Sequence, residues 1–457
     1  MKILLLNPPG KKLYVRDYYC SSTSKASYLF QPLDLIYMSG LLRKEHELEV
    51  LDCILKKMNC EVARQEIVAI NPGAVIAMTG SVSWEEDQIF FEKLKNQLPD
   101  IKLLLNGDLF FDNPVQFLEK FAFIDGITLD FVTDSVNDFL RGDFDNLGNF
   151  AYRKDNKVYK TPNRLKNILT LGLPTHELFI DAGYQFPFAR YHPFATVLTN
   201  YGCPFKCNFC VAAEMALRYR PLVEIVRELD ELEKLGIKEI FFKDFTFGLP
   251  KRQTGELLAT MHKKHKFSWS CYSRVDVLDH EVLKLMKLAG CHTIIFGVES
   301  GSSRILKAQN KGFRRAAVLK CFSLARAVGI DTVATFVLGL PQDNYKSILK
   351  TIRFARKLDC DFASFNVAVP RTGTPMRESA IKDGLINSEQ IAFDHSGEDI
   401  AMATHFLNRD TLKKLRSKAI MDFYFRIKYL LKRIRKIQSL SQLKLQLQMA
   451  WALLKSA

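Results

Sequence analysis

The sequence has no long hydrophobic run. Among its 457 residues there is no stretch of about 18 uncharged apolar residues, so a transmembrane helix is not expected. The apolar run at residues 3–6 is only four residues long and ends at Asn7, Pro8 and Pro9. This pattern indicates a first strand and not a signal peptide.

A disulfide framework is also missing. Seven of the ten cysteines are isolated along the chain: Cys20, Cys53, Cys60, Cys271, Cys291, Cys321 and Cys360. Small secreted proteins stapled by disulfides do not have this distribution. Because no export signal accompanies these thiols, we expect them to be reduced and the protein to be cytoplasmic.

The other three cysteines lie close together without a fourth. Cys203, Cys207 and Cys210 are separated by three and then two residues. A structural zinc site needs four ligands, and His192 would have to supply the fourth. A plain electron-transfer cluster uses four cysteines. The third interpretation is a 4Fe–4S cluster held by three thiolates, with one iron open to a substrate. The spacing at the end of a strand favours this interpretation.

Residues 1 to about 130 alternate short apolar strands with helices. The strands are predicted at residues 3–6, 48–51, 74–78, 101–105 and 124–129. This alternation predicts an α/β fold with a Rossmann-like, doubly wound parallel sheet. Ligands of such sheets bind beyond the carboxyl ends of the strands. The loop at residues 8–31 is unusually long, which favours a functional role.

A second α/β region follows a linker. We place the first domain at residues 1–141, and residues 142–190 form a linker with a polar hairpin at 152–159. The next strands are predicted at residues 195–199, 239–242, 267–272, 293–298, 332–338 and 362–369. Six β/α units at residues 191–385 predict a partial (β/α)6 barrel of the TIM type. Its chemistry is expected at the carboxyl ends of the strands.

The positive charge is concentrated in the last domain, residues 386–457. The net charge is +15, and residues 407–457 hold 13 Lys and Arg against Asp410 and Asp422. Helical patterns at 411–436 and 440–454 interleave or repeat apolar residues. This basic tail could contact a membrane surface or a lipid-like substrate, or pack on its own domain. Nucleic acid is not an expected partner, because no recognition motif accompanies the charge.

The cysteine motif resembles that of the radical S-adenosylmethionine (SAM) superfamily. The superfamily pattern is CxxxCxφC, and Phe209 stands at the aromatic position. Five further segments resemble the strand ends of that superfamily in the right order: residues 241–247, 273–276, 290–301, 336–341 and 370–375. In the first of them Asp244 matches the family's first Asp, and Phe245 replaces the second.

This resemblance implies an enzyme that cleaves SAM reductively. An electron from a cluster held by the three cysteines would generate a 5′-deoxyadenosyl radical. An external donor similar to flavodoxin or ferredoxin would supply the electron. Asp244 would accept a hydrogen bond from the SAM ammonium group, Arg274 would pair with its carboxylate, and Glu299 would meet the ribose hydroxyls. Phe209, Ser273 and Gly339 are the other residues expected to bind SAM. No catalytic residue is predicted.

The whole chain resembles the cobalamin-binding subclass of this superfamily. The opening KILLLNPPG and the segment at residues 32–52 are similar to that subclass. This resemblance implies cobalamin bound at the strand ends of the first domain, at Asn7, Pro8, Thr79, Gly80, Ser81, Asn106 and Gly107. The DxHxxG motif is absent, and His46 is the only His before residue 176. A corrin would therefore be held without a His ligand.

The expected reaction is methyl transfer to an unactivated carbon of a small molecule, with cobalamin relaying the methyl group. A radical rearrangement or cyclisation without cobalamin is the alternative among enzymes. A non-catalytic iron–sulfur or zinc protein is the alternative from another class. The substrate pocket is expected between the two domains.

Overall fold

The computed structural model describes residues 1–435 except residues 19, 25–27, 112, 165–166 and 391–399. The helix expected at residues 440–454 lies outside this part of the chain. Within it, the α/β prediction is confirmed. A seven-stranded and a six-stranded sheet each have helices packed against them, and two short two-stranded ribbons lie in loops.

The N-terminal sheet combines a parallel part with an antiparallel hairpin. Its strands have the spatial order Glu47–Asp52, Lys2–Asn7, Ala74–Met78, Lys102–Asn106, Gly126–Thr128, Phe150–Lys154 and Lys157–Lys160. The first five are parallel, and the last two are antiparallel. The helices are Leu33–Leu42, Cys60–Ile70, Trp84–Gln97, Pro114–Lys120 and Ser135–Arg141.

The hairpin corrects one expectation about the linker. Asp155 and Asn156 have φ angles of 48° and 58°, which suit a tight two-residue hairpin turn. The hairpin was expected inside the linker, but it pairs with Gly126–Thr128 and extends the sheet to Lys160. It covers an edge strand that would otherwise expose unpaired backbone groups. The domain division at residue 141 therefore cuts across this sheet.

The second sheet is an open barrel of six parallel strands in sequence order. The strands are Phe194–Val197, Glu239–Phe242, Ser268–Ser273, Cys291–Glu299, Asp331–Leu338 and Phe362–Val367. The helices between them are Leu222–Lys234, Lys251–Lys264, His280–Leu288, Ser303–Ala308, Arg315–Ala327 and Tyr345–Leu358, and Pro375–Lys382 follows the last strand. This arrangement confirms the predicted partial barrel.

Each open edge of the barrel sheet is covered by another part of the chain. At the first strand, the Gln31 amide donates to the carbonyls of Phe179 and Phe194 and accepts from the backbone N–H of Thr196. At the last strand lies the helix Arg409–Tyr424, from which Arg416 donates to the Phe365 carbonyl.

The tail packs on the barrel as far as the structure describes it. Tyr424 hydrogen-bonds both backbone groups of Ala363, and Tyr429 donates to the Asp361 carbonyl. The helix Ile427–Arg435 still exposes Ile427 and Ile434. No helix of the described chain has the length and apolarity needed to cross a membrane.

A buried polar network connects the two domains. The Arg220 guanidinium donates to Glu228 Oε2 at 2.5 Å and to the Leu198 carbonyl at 2.7 Å. Tyr37, on the first helix, donates to Glu228 Oε1 at 3.2 Å and accepts from the Leu198 N–H at 2.7 Å. His176 Nε2 lies 2.7 Å from Glu228 Oε1. All these side chains are buried, so the domains are joined by charge and hydrogen bonds as well as by apolar packing.

We predict that Glu228→Ala lowers the free energy of unfolding by about 3–5 kcal/mol, because it leaves the Arg220 charge buried without a partner. Denaturant unfolding monitored by circular dichroism measures the change. Glu231→Ala on the same helix is the control, since its ion pair with Lys234 is exposed and contributes little. Equal losses in the two variants would contradict the network's role.

Candidate active site

The cysteine loop, residues 199–210, is anchored by a buried carboxylate. Asp244 follows the second barrel strand, and its carboxylate accepts from Thr199 N at 2.7 Å, Thr199 Oγ1 at 2.5 Å and Asn200 N at 3.3 Å. The side-chain amide of Asn200 adds a fourth bond at 3.3 Å. Burial raises the pKa of Asp244 to about 6, although these hydrogen bonds act in the opposite direction.

These contacts give Asp244 a role beside the expected one. Its carboxylate is fully buried against the cysteine loop and is not among the groups that line the cavity beside the cysteines. The neighbouring residues Lys243, Phe245 and Thr246 do line that cavity. Asp244 therefore positions the loop, and its expected hydrogen bond from a SAM ammonium group stays a prediction.

The three cysteines share the wall of a cavity of about 430 Å³ between the two domains. The barrel side of this wall includes Phe205, Phe209, Tyr272, Ser273, Arg274, Ile295, Glu299 and Lys311. The N-terminal domain contributes Val15, Asp17, Cys20, Ser22, Tyr28, Phe30, Leu33 and Asp34. The wall is mostly apolar and aromatic with a few charged groups, which is typical of a small-molecule site.

The thiols differ in their surroundings. Cys203 Sγ lies 3.8 Å from Thr246 Oγ1, and Cys207 Sγ accepts a hydrogen bond from Arg274 Nη1 at 3.6 Å. Burial raises the pKa of the Cys210 thiol to about 12. It also raises the pKa of Cys207, against the effect of Lys311 and Arg274. No group of three His, Cys, Asp or Glu side chains in the described chain has the arrangement to hold a metal ion, and this includes the three thiols as they lie.

Arg274 lies in the cavity but already has a carboxylate partner. Its Nε and Nη2 donate to Asp276 at 3.0 and 2.9 Å, and Nη2 also donates to the Lys311 carbonyl at 2.8 Å. Its guanidinium lies 3.6 Å from the centre of the Phe205 ring. In this structure the Nε and Nη2 donors, which could pair with a SAM carboxylate, already bond to Asp276.

Glu299 ends the fourth barrel strand with its carboxylate in the cavity. The strand shifts register between Gly297 and Glu299, and Glu299 has a φ of 63°. Its carboxylate pairs with Lys311 Nζ at 2.8 Å. A Cβ at Gly297 would stand 2.5 Å from this carboxylate, so the glycine leaves room for it.

Lys311 is a cavity residue that the sequence analysis did not identify. It follows the helix Ser303–Ala308 and returns to the cavity, where its ammonium faces Phe209 at 5.7 Å from the ring centre. No motif in the sequence marks this lysine. The turn that brings it back depends on packing of the short helix.

The remaining expected SAM residues divide into two groups. Phe209 and Ser273 line the cavity, and the Ser273 hydroxyl donates to the Phe247 carbonyl at 2.7 Å. Gly339 does not line it. Its N–H donates to Asp343, and a Cβ there would meet Leu412 at 3.2 Å. With a φ of 83°, Gly339 is required for a turn that packs against the C-terminal helix, and its expected role in SAM binding stays a prediction.

The carboxyl edge of the N-terminal sheet is filled by the loop at residues 8–31. Arg16 is fully buried there and donates to Asn7 Oδ1 at 2.9 Å, to the Pro8 carbonyl at 2.8 Å and to Asp87 at 2.7 Å. Thr79 also donates to Asp87, at 2.8 Å. Three of the residues expected to bind cobalamin are therefore occupied by contacts within this domain.

The other four residues expected to bind cobalamin are also in contact with groups of this domain: Gly80, Ser81, Asn106 and Gly107. The Ser81 N–H donates to Asp108 at 2.7 Å, and a Cβ at Gly80 would stand 2.3 Å from Cβ of Ser21. Asn106 donates to Asp34 at 2.8 Å, and a Cβ at Gly107 would stand 2.4 Å from the Thr79 carbonyl oxygen. None of the seven residues expected to bind cobalamin lines the cavity. The loop itself supplies most of the domain's side of the cavity.

Several ion pairs connect this first domain to the barrel, and Arg218 with Asp130 is one of them. Lys243 Nζ lies 2.5 Å from Asp17 Oδ1, and both side chains are largely buried. Arg371 Nη1 lies 3.3 Å from Asp108 Oδ2, and its Nη2 lies 3.3 Å from the Ser21 carbonyl. Asp17 and Lys243 line the cavity, so this ion pair between the two domains forms part of its wall.

The fold and the site together define a class of protein. A Rossmann-like domain faces the mouth of an open six-stranded barrel, and three cysteines follow the first barrel strand. Residues 197–355 match the family model described as the radical SAM superfamily. This match lies in the barrel and agrees with the resemblance found in the sequence, and the protein is an enzyme.

Relatives and solved structures extend this likeness over the whole chain. An uncharacterized methyltransferase of Pyrococcus horikoshii is 29% identical over 448 residues, which cover 95% of each chain. The cobalamin-dependent SAM radical enzyme OxsB, solved with aqua-cobalamin and SAM, matches with a TM-score of 0.73 at 17% identity, over 100% of this chain and 71% of that chain. The SAM methyltransferase TsrM of Kitasatospora setae, solved with cobalamin and a [4Fe–4S] cluster, matches with a TM-score of 0.68 at 15% identity, over 93% of this chain and 88% of that chain. The structural matches show a shared fold.

We predict that Asp244→Ala lowers the free energy of unfolding by at least about 1–3 kcal/mol, because it leaves buried donors of Thr199 and Asn200 unsatisfied. Urea unfolding measures this change. Glu256→Ala is the control, because the exposed pair of Glu256 with Arg252 contributes little. A variant as stable as the wild type would show that the cysteine loop does not need this anchor.

Proposed function

We propose that this protein is a radical SAM methyltransferase that cleaves SAM with a three-cysteine 4Fe–4S cluster. The observation that carries the proposal is the common cavity wall of Cys203, Cys207 and Cys210, together with Ser273 and Glu299. The superfamily match covers these residues. The names of the relatives support methyl transfer as the reaction.

The donor set fits an iron–sulfur cluster. Iron–sulfur clusters are held by cysteine thiolates, and each thiolate bonds a different iron. Three thiols on the wall of an open cavity suit such a cluster better than a single ion, which needs its ligands close together. The absence of a fourth cysteine in the loop leaves one iron free for a small ligand.

The cavity fits a molecule of the size of SAM next to the cysteines. Its volume of about 430 Å³ lies within the range of small-molecule sites. When both are bound, the cluster supplies an electron, and SAM supplies the carbon–sulfur bond whose cleavage yields a 5′-deoxyadenosyl radical. We propose that Glu299 and Ser273 bind polar groups of SAM and that Phe209 packs against it.

The chain's own contribution is to orient these groups and to exclude water. The aromatic side chains of Phe30, Phe205 and Tyr272 form much of the wall, and the pair Asp17–Lys243 forms another part of it. A dry cavity protects a radical from side reactions. We propose a small, largely apolar acceptor and an external electron donor of the flavodoxin or ferredoxin type.

Cobalamin dependence is proposed from the comparisons. Two solved proteins that share this fold contain cobalamin. Four of the seven residues expected to bind it, Asn7, Thr79, Ser81 and Asn106, have polar groups that are bonded within the N-terminal domain. We therefore propose methyl transfer to an unactivated carbon as the reaction and assign no contact residue to the corrin.

The carboxyl edge of the N-terminal sheet, which is filled by side chains of this domain, favours the alternative reaction without cobalamin. Because Arg16 occupies the position where a ligand of a doubly wound sheet normally binds, a reaction without cobalamin has support. Such a reaction would be a rearrangement or cyclisation started by hydrogen abstraction. It would use the same cluster and the same SAM site.

We predict that the variant Cys203/Cys207/Cys210→Ala loses its cluster and its SAM cleavage. The wild type, purified without oxygen, should hold about four irons per chain and release 5′-deoxyadenosine when reduced with dithionite. The triple variant should hold almost no iron and release none. Cys60→Ala, which removes an exposed cysteine, should behave like the wild type. Wild-type protein with zinc and no iron would refute the proposal.

We predict that the wild type, reconstituted with hydroxocobalamin, retains about one cobalt per chain after gel filtration, because one corrin serves one active site. Cobalt analysis measures this, and an unrelated protein of similar positive charge gives the background. If no cobalt is retained while 5′-deoxyadenosine is still formed, the alternative without cobalamin replaces methyl transfer.

A further inference from the structure

We propose that Arg274 acts on the cluster and not on SAM: it donates a hydrogen bond to the Cys207 sulfur and raises the reduction potential of the cluster. This inference rests on the proposed function, because it requires a cluster at Cys207. It assigns Arg274 as a positioning residue, in contrast to the carboxylate partner that the family resemblance implies.

The hydrogen bonds of the guanidinium carry the argument. Arginine has five N–H donors in a planar fork. The Asp276 carboxylate takes one donor of Nε and one of Nη2, at 3.0 and 2.9 Å. The Lys311 carbonyl takes the other Nη2 donor at 2.8 Å. Only Nη1 remains, and it lies 3.6 Å from Cys207 Sγ.

The guanidinium is held in this orientation from several sides. It lies over the Phe205 ring at 3.6 Å from the ring centre, and the centre of the Phe313 ring lies 5.2 Å away. Its side chain is almost fully buried. A bidentate contact with a SAM carboxylate needs two parallel donors. Asp276 uses the Nε and Nη2 pair, and the Lys311 carbonyl takes the Nη2 donor that a contact through Nη1 and Nη2 would need. The remaining donors therefore favour a sulfur contact.

A donor at this sulfur has a direct effect on reduction. Hydrogen bonds to the sulfurs and nearby charge are among the factors that determine the potential of an iron–sulfur cluster. Reduction adds negative charge, which a guanidinium at short range stabilises more strongly in a buried site than in water. Loss of this group should make the cluster harder to reduce.

Two variants at Arg274 and one control variant separate the effect of the positive charge from the effect of the hydrogen bond to the Cys207 sulfur. Arg274→Gln removes both the charge and the fork, and Arg274→Lys keeps the charge without the fork. Lys243→Gln removes one positive charge from the same cavity wall, and Lys243 pairs with Asp17 and not with a thiol. The midpoint potential of each cluster is measured by anaerobic titration with electron paramagnetic resonance, in the absence of SAM.

We expect Arg274→Gln to shift the midpoint potential to more negative values, Arg274→Lys to shift it less, and Lys243→Gln to shift it least. The dissociation constant of SAM should change by less than about tenfold in Arg274→Gln, which corresponds to less than about 1.4 kcal/mol. If folded Arg274→Gln protein does not keep its cluster, the midpoint potential of Arg274→Lys is compared with that of the wild type, and a more negative value in the variant supports the inference.

A wild-type potential in an Arg274 variant that binds SAM more than about tenfold more weakly would overturn the inference and restore the carboxylate contact. This outcome is distinct from failure of the proposed function. In that case the wild type itself would hold no iron–sulfur cluster.

Discussion

The buried carboxylate of Asp244 is the interaction on which the candidate site depends. It ties the end of the second barrel strand to Thr199 and Asn200, just before the first cysteine of the loop. Burying a charge is costly unless hydrogen bonds compensate, and four of them converge here. The chain then turns at Gly202, where a Cβ would stand 2.2 Å from the Ala216 carbonyl oxygen. Held at both points, the loop has little freedom in where it presents its thiols.

The second constraint is the position of the loop at residues 8–31. Its Arg16 fills the edge of the N-terminal sheet, while Asp17 pairs with Lys243 of the barrel. The sheet edge is therefore part of the packed interior, and the cavity forms between the loop and the barrel. This arrangement explains how a Rossmann-like domain can contribute to the site through a loop and not through its strand ends.

Much of the fold could be predicted because it depends on local patterns. The barrel strands were expected from short apolar runs, and each begins and ends within two residues of its predicted bounds. The helix Cys60–Ile70 begins where it does because the Asn59 side chain caps it. The place of the hairpin could not be predicted, because its pairing with Gly126–Thr128 joins segments that are distant in the chain.

The reactive groups of the site could be read from the amino-acid order: three thiols on one short loop, directly after a strand, with no fourth cysteine close by. This information lies in one short segment of the chain, which contains the end of the strand and the loop. The tertiary structure alone decided which groups those thiols meet. Arg274 and Cys207 are 67 residues apart, and Arg16 and Asp87 are 71 apart. Contacts of this kind depend on how whole domains pack, because a side chain's direction is set by neighbours that sequence spacing does not reveal.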